Sequence, residues 1–556
     1  MQKNGSINVN VLLLAPNAGV GCFFRPESRT GFSKDRWAIP PLGLWRISGH
    51  LTKNKHANVE VWDGYVDSED YLVSRLKEKK IDIIGFSITH QTLENDIYFM
   101  HICKKYSPSS KLVIGGDEAT FNYVKVMDIA PIDYAVLGEG EKPMADMCAN
   151  IKNGITNFTD IPGLIYRTET DYKKTGEKTC DYKRTGPNYA MDHKMFSSTT
   201  VNIDWKIIPY ERYWEQIESF YEKPNLNETR TVRIFTTNYC PFDCLFCSST
   251  NFLNAAGGSE NKKRANVAGL SPEEIITMLK EILESHPTTR NIFINDDDFV
   301  LQAVRVQKFC DLVCNAKEKQ ILPDYLTFMC LSRIDDIEED TLAKMKAANF
   351  KMIGYGVESF SQKMLDDLNK RIKVEQIDKT VTSTLSYGIT PYMNIIIMPP
   401  TAKLIDVFTT IERCLDYIEQ GFEVAVEPYF IPMAGAVSTH QGYEMLTDEI
   451  PIEGTDEVLI QETVILPEDE KVKKIALGFK NHYQDCLKEI SDKYDLKHHP
   501  ARLRSLVSFY TIYSFLGKNY VDKLERVDNI IKKLYLPTNS VFIKNKKEYD
   551  WQGATG

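Results

Sequence analysis

Three cysteines, Cys240, Cys244 and Cys247, are separated by three and by two residues in the stretch TTNYCPFDCLFCSS, directly after the apolar run TVRIF. Thiolates so spaced can share one short loop, and a four-iron, four-sulfur cluster held by three of them keeps one iron without a protein ligand. An open iron is a place where a small molecule can be bound and changed. A structural zinc site usually takes four Cys or His ligands, whereas the flanking residues here add only Asp243 and no histidine. The spacing therefore favours the cluster over zinc. Cys310 and Cys314, in VQKFCDLVCNAK, are also three residues apart, but that stretch reads as an amphipathic helix with both thiols on one face. Thiols so placed usually serve as small core hydrophobes.

Of 556 residues, 43% are hydrophobic and 26% charged, the make-up of a soluble globular enzyme rather than of a disordered chain. The length allows roughly two to four domains. Acidic and basic residues interleave to a net charge of -10, which argues against a broad nucleic-acid-binding face. Lys544 to Lys547 and Lys183 to Gly186 are short basic runs that read as solvated loops. Twelve cysteines do not make a disulfide framework at this length, and Cys22, Cys103, Cys148, Cys330 and Cys486 read as scattered, buried thiols. The opening MQKNGSINVNVLLLAP lacks the parts of a secretory signal, and runs such as NIIIMPP fall short of a membrane span. The expectation is a cytoplasmic protein.

The elements that must carry the cysteines alternate. Ahead of them, VNVLLLAP, VEVWD, IDIIGFSIT, KLVIGG and YAVLGEGE read as strands separated by helical patterns, among them Leu42 to Asn54. Strand–helix alternation implies a doubly wound parallel sheet whose ligand crevice lies at the strand C-terminal ends. Small residues gather there: Ala15, Gly85, Ser87, Thr89, Gly115, Gly116, Gly138 and Gly140. Glycine admits a large flat ligand close to the backbone and Ser or Thr can bond its polar edge, although ordinary turns use the same residues.

Behind the cysteines the alternation continues. SPEEIITMLKEILESH begins with an N-cap serine and first-turn glutamates. The strands NIFINDDDF, YLTFMCLSRI, KMIGYGVESF and TPYMNIIIM follow, each with a helix between it and the next. Such βα units suit a partial (βα)6 barrel with its chemistry at the strand C-termini. Helical patterns run from about Pro467 to Leu536, where Phe509, Tyr510, Tyr513 and Phe515 form an apolar helix face that reads as core or as a substrate pocket wall.

The CxxxCxxC spacing, with Phe246 before the last cysteine, resembles the radical S-adenosylmethionine (radical SAM) signature. In that family the open iron chelates the methionine end of SAM. The resemblance implies that Asp296 and Asp297, in INDDDF, meet the SAM amino group, with Ile294 where relatives carry an aromatic. It further implies that Arg333 binds the carboxylate, Glu358 the ribose hydroxyls and Phe246 the adenine. IIIMPPTAK departs from the family's GxPGET.

The series PPLG, GFSIT, VIGG and LGEGE, followed by IPGLIYR, resembles the cobalamin-binding domain that precedes the radical SAM domain in one large enzyme group. That resemblance assigns Pro41, Gly43, Ser87, Thr89, Gly115, Gly116, Gly138 and Glu139 to cobalamin. Asp117 and Glu118 stand where relatives often have a histidine, the DxHxxG motif is absent, and His193 directly follows Asp192 in the wrong context. Cobalamin is therefore expected without a protein histidine under the cobalt. The implied organisation is a cobalamin-binding domain (1–150), a linker (151–228), a radical SAM domain (229–425) and a mostly helical C-terminal domain (426–556). The implied cofactors are a 4Fe-4S cluster, SAM and cobalamin; the implied activity is methyl transfer to an unactivated carbon. Ring formation, rearrangement or oxidation with the same cofactors is the second reading, and a corrinoid-binding sensor or carrier a third. The expected partners are a small-molecule or peptide substrate and an electron donor such as flavodoxin or ferredoxin.

Overall fold

A strand lying between two helical layers must be apolar on both faces, and NVLLLA meets that condition, with every side chain from Val11 to Ala15 buried. The computed structural model, which describes residues 8–16, 39–168, 181–189, 191–219, 224–257, 267–335, 337–496 and 499–536, places this strand, β1 (Asn10–Ala15), inside a parallel sheet. Cys22 and the run Lys544 to Lys547 lie outside the described residues. β1 pairs on one side with β2 (Asn58–Asp63) and on the other with β3 (Ile83–Ser87), and β4 (Lys111–Gly115) and β5 (Tyr134–Val136) follow, all parallel. Separate cores form on the two faces, one around Leu72, Ile97 and Met100, the other around Leu44, Met144 and Met147. The strand order β2-β1-β3-β4-β5 reverses between β1 and β3, and a doubly wound sheet offers its crevice outside the strand C-termini at that reversal.

The stretch 151–228, expected as a linker, is largely folded among its described residues. β6 (Leu164–Arg167) and β7 (Tyr182–Arg184) extend the first sheet antiparallel beyond β5. The helix Tyr210–Glu218 buries Tyr210, Tyr213, Trp214 and Ile217, a spacing that makes one apolar stripe. Tyr213 donates to Asp63 at the end of β2, and Trp214 Nε1 donates to the Thr231 carbonyl at 3.3 Å. One amphipathic helix thus ties the first sheet to the second.

The second sheet has six parallel strands in chain order, β8 (Thr231–Ile234), β9 (Asn291–Ile294), β10 (Thr327–Arg333), β11 (Phe350–Glu358), β12 (Thr390–Ile396) and β13 (Glu423–Glu427). Among the described residues β8 and β13 form its edges and do not pair with each other, so the barrel is partial and open. Local signals set the helices: Pro272–Ser285 starts with a capping box of Ser271 and Glu274, and Ala303–Glu318 buries Cys310 while Cys314 packs against the same core.

The C-terminal region is mostly helical, with helices Glu470–Tyr494, Ala501–Leu516 and Val521–Tyr535. Ala501–Leu516 lies against β13, where Ser505 Oγ donates to the Val424 carbonyl at 3.0 Å. Phe509 and Tyr513 are core residues and Phe515 is 40% exposed. This region also contains a hairpin that the helical pattern did not announce, β14 (Met445–Pro451) with β15 (Val458–Ile465). The hairpin docks on the first sheet's helical layer: Ile452 and Leu459 join that core. Glu462 pairs with Lys125 at 2.7 Å and Gln461 Nε2 donates to the His90 carbonyl at 2.5 Å. Among the described residues no helix is long and apolar enough to cross a membrane.

Leu459 is fully buried in that borrowed position, and its truncation to Ala should cost about 2–4 kcal/mol. Hydrogen exchange measures the effect locally: faster exchange across residues 445–465 is expected, and unchanged protection would show that the hairpin does not depend on this contact.

Candidate active site

The cysteines occupy the loop that leaves β8, and both ends of that loop are fastened from outside. At the entry, Asp296, two residues beyond β9, accepts the backbone N–H of Thr236 at 2.5 Å and of Thr237 at 3.0 Å, and also the Thr236 hydroxyl. Burial pushes the Asp296 carboxyl up, and these donors together with Arg305 oppose that shift. Further along, Leu245 N–H donates to the Leu368 carbonyl at 3.1 Å and accepts Ser438 N–H on its own carbonyl at 3.0 Å. Asn369 Nδ2 donates to the Asp243 carbonyl and Arg371 Nη2 to the Asp243 carboxylate, each at 2.9 Å. Asp243 therefore holds the loop in place.

The loop opens on a cavity of about 620 Å³ lined by all three cysteines and by Phe246, Asp297, Arg333 and Glu358. Six strand ends of the open barrel thus bring together residues more than a hundred positions apart. Asp296 is the exception: it is 1% exposed, does not line the cavity, and spends its carboxylate on the cysteine loop. Neighbouring side chains at a strand end point opposite ways, so one aspartate of the pair faces the cavity and the other the loop. Asp297 accepts from Ser249 Oγ at 2.5 Å, and its burial also pushes its carboxyl up. The third aspartate, Asp298, accepts from Ser332 Oγ at 2.8 Å and from Arg333 N–H at 3.3 Å.

Arg333, at the end of β10, is 7% exposed. Its Nε pairs with Asp335 at 2.8 Å, its Nη1 points to Cys244 Sγ at 3.3 Å, its Nη2 donates to the Lys370 carbonyl, and its guanidinium lies 4.1 Å from the Phe242 ring centroid. Burial pulls its pKa down, and Asp335 with the neighbouring thiols more than reverses that. Burial pushes the Cys240 thiol up to about 12 and Cys247 to about 11, so taking up a metal cluster must displace protons. Among the described residues no group of three or more His, Cys, Asp or Glu converges on a single ion. A cubane needs another arrangement, one thiolate on each of three irons, and three cysteines around one cavity are compatible with that.

Glu358 ends β11 with a left-handed φ of +67°, a conformation that non-glycine residues hold only under constraint. Its carboxylate pairs with Lys370 at 2.8 Å. Lys370 is 4% exposed and lines the cavity, yet it lies in the polar run LNKRIK, which reads as surface. Arg233, Asn394, Glu427 and Arg504 also line it and carry no motif that announces them.

The small residues at the first sheet's strand ends divide into two sets. Among the described residues, a side chain at Gly43, in the first turn of the helix Leu42–Lys53, would meet nothing within 4 Å and one at Gly115 only the Phe86 carbonyl at 4.0 Å. These positions leave room for a flat ligand. Gly116 is instead required by its φ of +99°, with the Ile88 carbonyl 2.8 Å from where a Cβ would be. Gly138 is pressed by Ala256, 2.4 Å from its would-be Cβ. Its smallness serves packing of the helix Ser249–Gly257, which follows the cysteines, rather than ligand space. Glu139 and Glu141 both pair with the partly buried Arg46; burial lifts Glu139 to about 7 although Arg46 opposes this. Thr89 Oγ1 bonds Thr92 Oγ1 at 3.0 Å and Ser87 lies at the end of β3 beside Gly116. Pro41 caps the helix Leu42–Lys53, and Ile39, just before it, reaches the cysteine cavity. The strand ends of the first sheet therefore adjoin the cysteine loop.

Residues 36–147 match the family model "B12 binding domain", and residues 234–414 match "Radical SAM superfamily". The anaerobic magnesium-protoporphyrin IX monomethyl ester cyclase of Rubrivivax gelatinosus is 22% identical over 66% of this chain, which spans 60% of that relative's own length. The hopanoid C-3 methylase of Methylococcus capsulatus is 22% identical over 86% of this chain and 84% of its own. Among solved structures, the cobalamin-dependent S-adenosylmethionine radical enzyme OxsB, with aqua-cobalamin and S-adenosylmethionine bound, matches 98% of this chain and 76% of its own at a TM-score of 0.64 and 15% identity. At that identity the likeness is one of fold.

The two ends of the site should fail independently. Replacing Cys240, Cys244 and Cys247 by Ala should abolish iron–sulfur absorbance and leave cobalamin binding intact, while Cys310→Ala with Cys314→Ala keeps the cluster. Gly115→Leu should weaken cobalamin binding by about tenfold or more, roughly 1.4 kcal/mol, with iron content unchanged. Iron and cobalt analysis of the reconstituted proteins decides both; a full cluster in the triple variant or normal cobalamin in Gly115→Leu contradicts the assignment.

Proposed function

Because this chain belongs to the radical SAM superfamily and carries a B12-binding domain ahead of its radical SAM domain, we propose that it is a cobalamin-dependent methyltransferase acting on an unactivated carbon. The observation that carries this reading is the junction of the two halves: Ile39, which leads into the PPLG turn, lines the same cavity as the three cysteines. When bound, a reduced cluster would supply the electron for reductive cleavage of SAM, and methylcobalamin would supply a methyl group. The chain's own residues bind, orient and exclude water. Cys240, Cys244 and Cys247 hold the cluster. Arg333 offers its guanidinium to the SAM carboxylate, a charge-assisted contact; Asp297 takes the amino group; Glu358 takes the ribose hydroxyls and Phe246 packs on the adenine. Asp296 drops out of the contact set and keeps the cysteine loop in register.

Gly43 and Gly115 leave room for the corrin, with Pro41, Ser87, Thr89 and Gly116 shaping its edge; Gly138 and Glu139 support the fold around it. The crossing from β1 to the first helix, residues 16–41, contains no histidine, which supports cobalamin without a histidine from that segment under the cobalt. The division into domains 1–150, 229–425 and 426–556 joined by 151–228 belongs to the same reading, with the hairpin β14–β15 as a strap between the outer parts. The substrate is a small molecule or peptide, the electron donor a flavodoxin or ferredoxin, and the location the cytoplasm.

A ring-forming or oxidising reaction with the same cofactors is the second reading, favoured by the likeness to the Rubrivivax cyclase. A corrinoid sensor or carrier leaves Arg333 and Glu358 at the cavity without a purpose. Anaerobic incubation of the loaded protein with methyl-labelled SAM, a strong reductant and extract of the source cells separates these. Label in a new product together with 5'-deoxyadenosine is expected. 5'-Deoxyadenosine without a labelled product would favour the second reading, and no 5'-deoxyadenosine would overturn both.

A further inference from the structure

The segment Leu368–Arg371 faces two ways. Asn369 and Arg371, both left-handed at φ +53° and +56°, reach outward to Asp243 in the cysteine loop. Lys370, between them, reaches inward. Its ammonium is 2.8 Å from Glu358 Oε1 and 5.6 Å from the Phe246 ring centroid, and its carbonyl accepts from Arg333 Nη2. One lysine thus touches or approaches Glu358, Phe246 and Arg333, three of the groups assigned to SAM.

The backbone around the pair is shaped to admit it. A Cβ at Gly356 would stand 2.5 Å from Glu358 Oε1 and 2.9 Å from Lys370 Nζ, so glycine leaves the space that the pair fills. The register of β11 against β12 shifts between Gly356 and Glu358, and Glu358 itself is left-handed. A buried ion pair adds little stability over a well-packed apolar pair, and holding left-handed residues costs free energy. A pair kept at a cavity wall on those terms points to a ligand rather than to the core. Lys370 engages Oε1, and no described donor engages Oε2.

On the reading that Glu358 and Phe246 take the nucleoside end of SAM, we infer that Lys370 is a positioning residue for that end: it fixes Glu358 through Oε1 and leaves Oε2 to accept from the ribose hydroxyls. The ammonium, 2.8 Å away, also gives the buried carboxylate a partner. The same backbone segment fastens the cysteine loop, so the distance between cluster and nucleoside is held by one short stretch of chain.

Binding to the full-length, cluster-reconstituted, cobalamin-loaded protein tests this, with SAM, 5'-deoxyadenosine and methionine as separate probes under anaerobic conditions. Lys370→Met should weaken SAM and 5'-deoxyadenosine by about tenfold or more, leave methionine binding and iron content unchanged, and be largely rescued in Lys370→Arg. If Lys370→Met fails to retain its cluster, Glu358→Gln serves in its place: it should lose 5'-deoxyadenosine affinity to a similar degree while methionine still binds. Undiminished 5'-deoxyadenosine affinity, or equal loss of both nucleoside and methionine, overturns the inference. Wild-type protein that binds neither SAM nor 5'-deoxyadenosine would overturn the underlying reading instead, so the two failures are distinguishable.

Discussion

A cluster held by three thiolates from one short loop inherits its position from that loop alone. No fourth protein ligand from elsewhere in the fold corrects an error, because the fourth iron must stay free for chemistry. The loop itself contains no regular structure between β8 and the helix Ser249–Gly257, so its shape is set by partners outside it. Asp296 fixes the entry through two backbone N–H groups. Leu368, Asn369 and Arg371 fix the middle through Leu245 and Asp243. These clamps come from the ends of β9 and the stretch after β11, the same strand ends that carry Asp297 and Glu358. The three cysteines and the cavity-lining Asp297 and Glu358 are thereby referred to one frame.

The same economy joins the two halves of the molecule. The helix that follows the cysteines packs into the notch left by Gly138, the helix Tyr210–Glu218 ties β2 to β8, and the hairpin β14–β15 returns from the C-terminal region to the first sheet's helices. Parallel sheets place their crevices at strand C-termini, and these contacts turn the two crevices toward each other. A reaction that needs two bulky cofactors beside one substrate requires that arrangement.

Much of this was legible in the sequence, for physical reasons. CxxxCxxC is readable because few other chemistries want thiols at that spacing, and buried parallel strands are readable because they must be apolar on both faces. Other features depend on direction in space, which residue order does not state. Asp296 and Asp297 are adjacent, yet one faces the loop and the other the cavity. Gly115 ends β4 and Gly138 lies two residues beyond β5, yet among the described residues only the first has open space in front of it. Lys370 lies in a polar run and meets Glu358 only through a left-handed turn. The hairpin's Leu459 is core to a sheet more than three hundred residues earlier, a contact that no local pattern encodes.

Mössbauer spectroscopy of iron-57-enriched, reconstituted protein tests the central claim most directly, because it separates an iron whose ligands differ from those of its neighbours. An open iron that receives SAM should change its isomer shift when SAM is added, while the irons held by Cys240, Cys244 and Cys247 keep theirs. A spectrum in which every iron is indifferent to SAM, or in which all respond alike, would contradict the account.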